Sequence, residues 1–284
     1  MLRKLLKYDI KSVVRIWWFV AISVLVLSLF GASVLRATIY LMENHSFSLF
    51  QLLGILISVG CIFLIYSSMW VTLFLTYWRY YKNLFSDEGY LTFTLPVSRK
   101  QLLLSKTINA LIWSCAQALL LTVSVVIYFL IVPEGKSGHF FSPLLFELIG
   151  DLFKNMWSSM GAWLIAYIPQ IFAILFVATL FQIGMIQFCI TVGSVIAKRV
   201  RLLIAVGVYY ALTGVLSTIL AILLRCAIPN ISEGVKELLR YASEDFKHLA
   251  VLLFLILFTV IVAALSALLH FVTLDIMERK LNLP

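Results

Sequence analysis

Few side chains in this 284-residue chain combine type and spacing in a way that permits chemistry. The four histidines, His45, His139, His248 and His270, stand far apart, and the four cysteines, Cys61, Cys115, Cys189 and Cys226, form no C-x-x-C pair or Cys/His cluster. A zinc site or a disulfide framework needs patterned ligands, so neither is indicated. No G-x-x-x-x-G-K-[ST] loop is present to cradle ATP phosphates, and no H-E-x-x-H or G-x-S-x-G to support hydrolysis. The expectation is a chain that is not an enzyme and binds no metal or cofactor itself. What remains is hydrogen bonding and ion pairing. It is concentrated in two sets: neutral amides inside long apolar runs, and the polar stretch 79–106, RYYKNLFSDEGYLTFTLPVSRKQLLLSK.

The amides are Asn109, Gln117, Gln170, Gln182 and Gln187. Within a bilayer an amide commonly bonds to a neighbouring helix. The functional alternative is that Gln117, Gln170, Gln182 and Gln187 line the path of an amphipathic substrate, with Gln182 and Gln187 the stronger candidates. Every Asp, Glu, Lys and Arg falls at the end of an apolar run or between runs, so His270 is the sole ionisable candidate inside one. It reads either as a satisfied interfacial histidine or as a functional one. Gly184 and Gly193 would permit close helix approach.

The polar stretch carries Arg79, Lys82, Arg99, Lys100 and Lys106 beside the acidic pair Asp87 and Glu88. Ser86 is placed to cap a short helix, with Asp87 and Glu88 against its dipole in the first turn. Pro96 stops that helix because it biases Leu95 away from helical geometry. Ser98 then opens the next helix, and Gln101 three residues on completes a capping-box spacing. The expectation is a short helix held just outside a membrane between two spanning helices, suited to receiving a push from a soluble partner. The plain alternative is an ordinary basic cytoplasmic loop.

The run FSDEGYLTFTLPVSRKQLLLSK resembles the cytoplasmic loop of permease subunits from bacterial two-component ABC exporters of the type-2 permease family. The likeness extends weakly over the chain: a basic amphipathic start, about six spans and a C-terminal KLNL. In that family the loop between spans two and three is a coupling helix that docks on a separate ATPase subunit. The resemblance therefore implies such a role for Ser86, Asp87, Glu88, Gly89, Tyr90, Pro96, Arg99 and Lys100. It also implies ATP and Mg bound by the partner ATPase, a second permease copy or related permease as dimer partner, and a bacterial plasma-membrane location.

Composition sets the frame for these residues. The chain is 63% hydrophobic and 12% charged, with a mean hydropathy of +1.05. That is more apolar surface than a soluble domain of this size can bury, so an all-α polytopic membrane protein is expected, in a single domain covering residues 1–284. Residues 1–15 read as an amphipathic helix in the inner interface. At 100° per residue, Arg3, Lys4, Lys7, Lys11 and Arg15 share an arc of about 120°, and leucines cover the opposite side. Asp9 interrupts the apolar arc, either bending out to water or pairing with a cytoplasmic base. Spans follow at about 16–35, 49–78, 107–132, 161–197, 202–224 and 249–274. The apolar run after Arg15 continues for full spanning length, so it is not expected to be a cleaved signal peptide. The run 161–197 would be roughly 55 Å long as a helix. One kinked span with Pro169 at the kink keeps Lys198, Arg199 and Arg201 inside. Two outer amphipathic helices are expected, at 142–157 after the Ser142–Pro143 cap and at 232–248.

The charge map supports that topology. Fifteen of the 22 bases and five of the 13 acids fall on the side of the termini, giving +10 there against −1 on the other face. By the positive-inside rule both ends are cytoplasmic, and the net charge of +9 is a topology signal rather than a nucleic-acid one. Three readings stand. The first is the permease half of an ATP-driven exporter for an amphipathic or hydrophobic substrate, such as a peptide, lipid-like molecule or drug. The others are a non-transporting membrane sensor or immunity protein, and a proton-coupled carrier. The loop resemblance favours the first.

Overall fold

The computed structural model describes residues 2–44, 49–86, 89, 97–132, 144–196, 200–241 and 243–279. Among these residues the elements are helices only: α1 (Leu2–Asn44), α2 (Leu49–Phe85), α3 (Arg99–Ile131), α4 (Leu144–Met160), a 3-10 turn (Gly161–Trp163), α5 (Leu164–Ile196), α6 (Arg201–Tyr241) and α7 (Glu244–Arg279). Six stretches among the described residues are long and apolar enough to cross a membrane: Arg3–Met42, Leu49–Phe85, Arg99–Ile131, Phe146–Ile196, Arg201–Ile219 and Glu244–Arg279. Large apolar side chains such as Phe19, Trp70, Phe172, Phe254 and Phe271 stand exposed along them, which only a lipid solvent makes favourable. The chain is a multi-pass, all-α membrane protein.

The helices run past the boundaries that hydropathy sets. The separate interfacial helix at 1–15 is corrected to the first turns of α1, a single 43-residue helix about 65 Å long. Leu, Lys, Arg and Ile are compatible with helix, and no Gly, Pro or capping residue breaks the chain where polarity changes at Arg15. Span 5 and the outer segment are likewise not two pieces. The 41-residue α6 continues to Tyr241, and α7 begins at Glu244. The expected outer helix at 232–248 is thus the end of one helix and the start of another. A helix does form at the first expected amphipathic segment, as α4, while Ser142 and Pro143 lie outside the described residues. The long apolar run expected at 161–197 holds one span, α5, with Pro169 inside it. Of the two readings of Asp9, burial removes one. Asp9 retains 9% exposure, so its carboxylate faces protein rather than bending out to water.

Two compact units divide the chain. The first comprises Met1–Arg79 with Ile108–Ser158. Its apolar centre joins Ala21 and Val24 of α1 to Ile65 of α2 and Leu120 of α3, with Val20, Leu121 and Tyr128 packed around them. Trp17 of α1 meets Trp113 of α3 with ring centroids 5.2 Å apart. The second unit comprises Tyr80–Thr107 with Ser159–Pro284. There α5 packs against both α6 and α7. At Gly193 of α5 an added Cβ would lie 2.7 Å from the Ala205 backbone nitrogen and 2.8 Å from the Arg201 carbonyl, so only hydrogen there lets α6 approach. Gly184 has no such neighbour: its nearest atom would be 3.8 Å away.

Candidate functional site

The second unit contains both flanks of the polar loop, and four helix ends there are tied in reciprocal fashion. Helix α2 continues seven residues beyond the expected end of span 2, and α3 begins at Arg99, directly after the expected Ser98 cap and eight residues before the expected start of span 3. The sequence 79–85 holds no breaker, and the Ser98 cap sets the start of α3. The Gln101 amide donates to Ser98 Oγ at 3.4 Å, and the Leu102 amide donates to the Ser98 carbonyl at 3.1 Å. Directly after α2 the Gly89 amide donates to the Ser86 carbonyl at 2.7 Å. A Cβ at Gly89 would stand 2.6 Å from the Leu84 carbonyl oxygen, so any side chain there would push the Gly89 backbone off the end of α2.

The ties themselves use two arginines. Arg201, the first residue of α6, donates from Nη1 to the carbonyl of Phe85, the last residue of α2. Arg99, the first residue of α3, donates from Nη1 to the Met277 carbonyl in the last turn of α7. A cation at its own helix N-terminus opposes the dipole there. Each guanidinium instead reaches the negative end of another helix and satisfies a carbonyl that has no intrahelical donor. Two neutral bonds sit one level deeper. Tyr80 and Thr191 hydroxyls lie 3.0 Å apart, both side chains buried, and the Thr107 hydroxyl donates to Gln187 Oε1 at 3.0 Å. The loop flanks are thereby fastened to α5, α6 and α7. Movement of either flank must move those helices or break these bonds.

Of the residues expected to dock a partner, Ser86, Gly89, Arg99 and Lys100 are described, whereas Asp87, Glu88, Tyr90 and Pro96 lie outside the described residues. Gly89 is buried and Lys100 exposed. The four glutamines bond to different partners. Gln117, in the first unit, is buried: its Nε2 donates to Ser68 at 2.7 Å and its Oε1 accepts from Thr72 at 2.9 Å. Gln170 donates to Thr259 of α7 at 2.7 Å, and Gln182 to Tyr209 of α6 at 2.9 Å. Each amide bridges two helices. Asn109 instead accepts from Trp113 Nε1 within α3, at 3.1 Å.

Two cavities open along α5 and α7. One, of about 250 Å³, is lined by Ile174, Phe181, Phe258 and Val262; the other, of about 310 Å³, by Thr107, Gly184, Ser266 and His270. Neither is lined by a glutamine. Sequence reasoning missed Tyr80, Thr191 and the acceptors of Arg99 and Arg201. A tyrosine beside a polar loop reads as an interfacial aromatic, and a backbone carbonyl acceptor leaves no mark in residue type. Comparison of the chain with protein-family models, with curated proteins and with solved structures finds no match.

Proposed function

We propose that this chain is the membrane-spanning permease subunit of an ATP-driven exporter. It works with a separate soluble ATPase and a second permease copy or a related permease in the bacterial plasma membrane. Its cargo is an amphipathic or hydrophobic molecule: a peptide, a lipid-like compound or a drug. ATP and Mg belong to the partner, and both termini of this chain face the cytoplasm. In the cycle, ATP draws two ATPase subunits together, their movement displaces the 86–99 element, and the spans reorient around a central path.

One observation carries this reading. The flanks of the polar loop are held by Arg201 on Phe85 and by Arg99 on Met277, at the ends of four helices. A displacement applied at the loop thus has a bonded route into α6 and α7, as an energy-receiving element requires. The loop's likeness to the coupling element of type-2 permeases supports the same conclusion. His270, lining a cavity, is the observation that favours the proton-coupled carrier instead, since a proton needs a titratable site on its path.

The two readings part in proteoliposomes holding the chain and its ATPase partner. Export of a fluorescent hydrophobic drug should require ATP, persist with a protonophore present, and persist in His270→Gln. Export that stops with the protonophore while ATP hydrolysis continues would establish the carrier.

A further inference from the structure

The first unit contains a cavity of about 460 Å³ lined by Tyr8, Lys11, Ser12, Arg15 and Ile16 of α1 and Arg79 of α2. The α1 residues recur at helical spacing along one face. Three of the lining residues are cations, two carry hydroxyls, and none is acidic. Arg79 is the telling member: its Nη1 is buried and donates to nothing. A buried guanidinium nitrogen without an acceptor is costly, and its natural complement is a phosphate or carboxylate oxygen. The same face of α1 continues as Phe19, Ile22 and Val26, all exposed. Charge at one end and an open apolar strip directly beyond it match one ligand shape, a headgroup with its acyl chains.

We propose that this cavity binds the phosphate of one anionic phospholipid, with Arg79, Lys11 and Arg15 neutralising it and an acyl chain lying along Phe19, Ile22 and Val26. A basic helix lying on anionic lipid is attracted diffusely and exchanges lipid freely. This site differs because one of its cations, the half-buried Arg79, is on a second helix. An occupant therefore bridges α1 to α2, and one lipid per chain is retained. The site is independent of how transport is energised.

The test is native mass spectrometry of the full-length chain in detergent, titrated with phosphatidylglycerol, with phosphatidylcholine, and with phosphatidylglycerol in competition with inorganic phosphate. The expected result is one retained phosphatidylglycerol per chain, not displaced by inorganic phosphate, and weaker retention of phosphatidylcholine. Arg79→Gln should weaken phosphatidylglycerol retention by about tenfold or more, the loss associated with a hydrogen bond to a charged group. Lys11→Gln with Arg15→Gln, both on exposed residues, provides a second reading should Arg79→Gln fail to fold. Lys154→Gln on α4 removes the same charge away from the cavity lining and should change nothing. Equal retention of phosphatidylcholine, displacement by inorganic phosphate, or an equal effect of Lys154→Gln would each overturn the lipid site.

Discussion

A neutral network in the first unit contrasts with a pair of arginine ties in the second, which also carries neutral interhelical bonds at Tyr80, Thr107, Gln170 and Gln182. In the first, Gln117, Ser68 and Thr72 form a neutral network deep among apolar side chains, side chain to side chain across α2 and α3. In the second, Arg99 and Arg201 reach from helix starts to carbonyls at helix ends, charge to backbone. The neutral network fixes which helix faces meet and has no charge to respond with. The arginine ties sit where a polar loop begins and ends, and they join elements whose termini must move if the loop moves. The neutral arrangement sets assembly, and under the proposed function the charged one transmits.

That contrast can be broken in graded steps. The largest effect is expected from Gly193→Val, which forces α5 off α6. We expect destabilisation of about 3 kcal/mol, the upper end of the overpacking range, with loss of transport, measured by thermal unfolding in detergent. Unchanged stability would mean that α5 and α6 are not packed as described. Arg201→Met comes next. Losing a charge-assisted bond costs about 2 kcal/mol, and transport per ATP hydrolysed should fall several-fold while the ATPase stays bound. An unchanged transport-to-ATP ratio would reduce Arg201 to a structural anchor.

Gln117→Leu should cost about 1 kcal/mol, the scale of interhelical polar bonds in membranes. It should leave that ratio intact, because Ser68 keeps its own bond to the Ile65 carbonyl. A fallen ratio would place Gln117 on the transport path. The smallest effect belongs to Gly184→Ala, within about 0.5 kcal/mol, since nothing lies closer than ordinary contact. A large loss there would show that α5 and α7 come closer in another state.

How much of this was legible beforehand depends on what each feature physically requires. Six spans follow from apolar length alone, and Ser98 with Gln101 gave the start of α3 because a cap is local chemistry. The glutamines declared themselves as needing partners, since an amide in lipid must bond to something. Their partners, such as Tyr209 and Thr259, were not legible, because a uniformly apolar helix does not reveal which faces meet. The long reach of α1 and α6 was hidden for a related reason. Hydropathy marks where lipid ends, whereas a helix ends only where capping or a breaker ends it. Asp9 was ambiguous on periodicity and was resolved by burial.

Under the proposed function, force enters through the 86–99 element from a separate ATPase. The most direct measurement is the ATP hydrolysis that co-purifies with the tagged chain from its native membranes, compared with Asp87→Ala/Glu88→Ala. The expected result is Mg-dependent hydrolysis with the wild-type chain, none from the chain once stripped of partners, and loss of the bound activity in the double variant with membrane insertion unchanged. Hydrolysis retained in full by the double variant, or arising from the stripped chain itself, would contradict it.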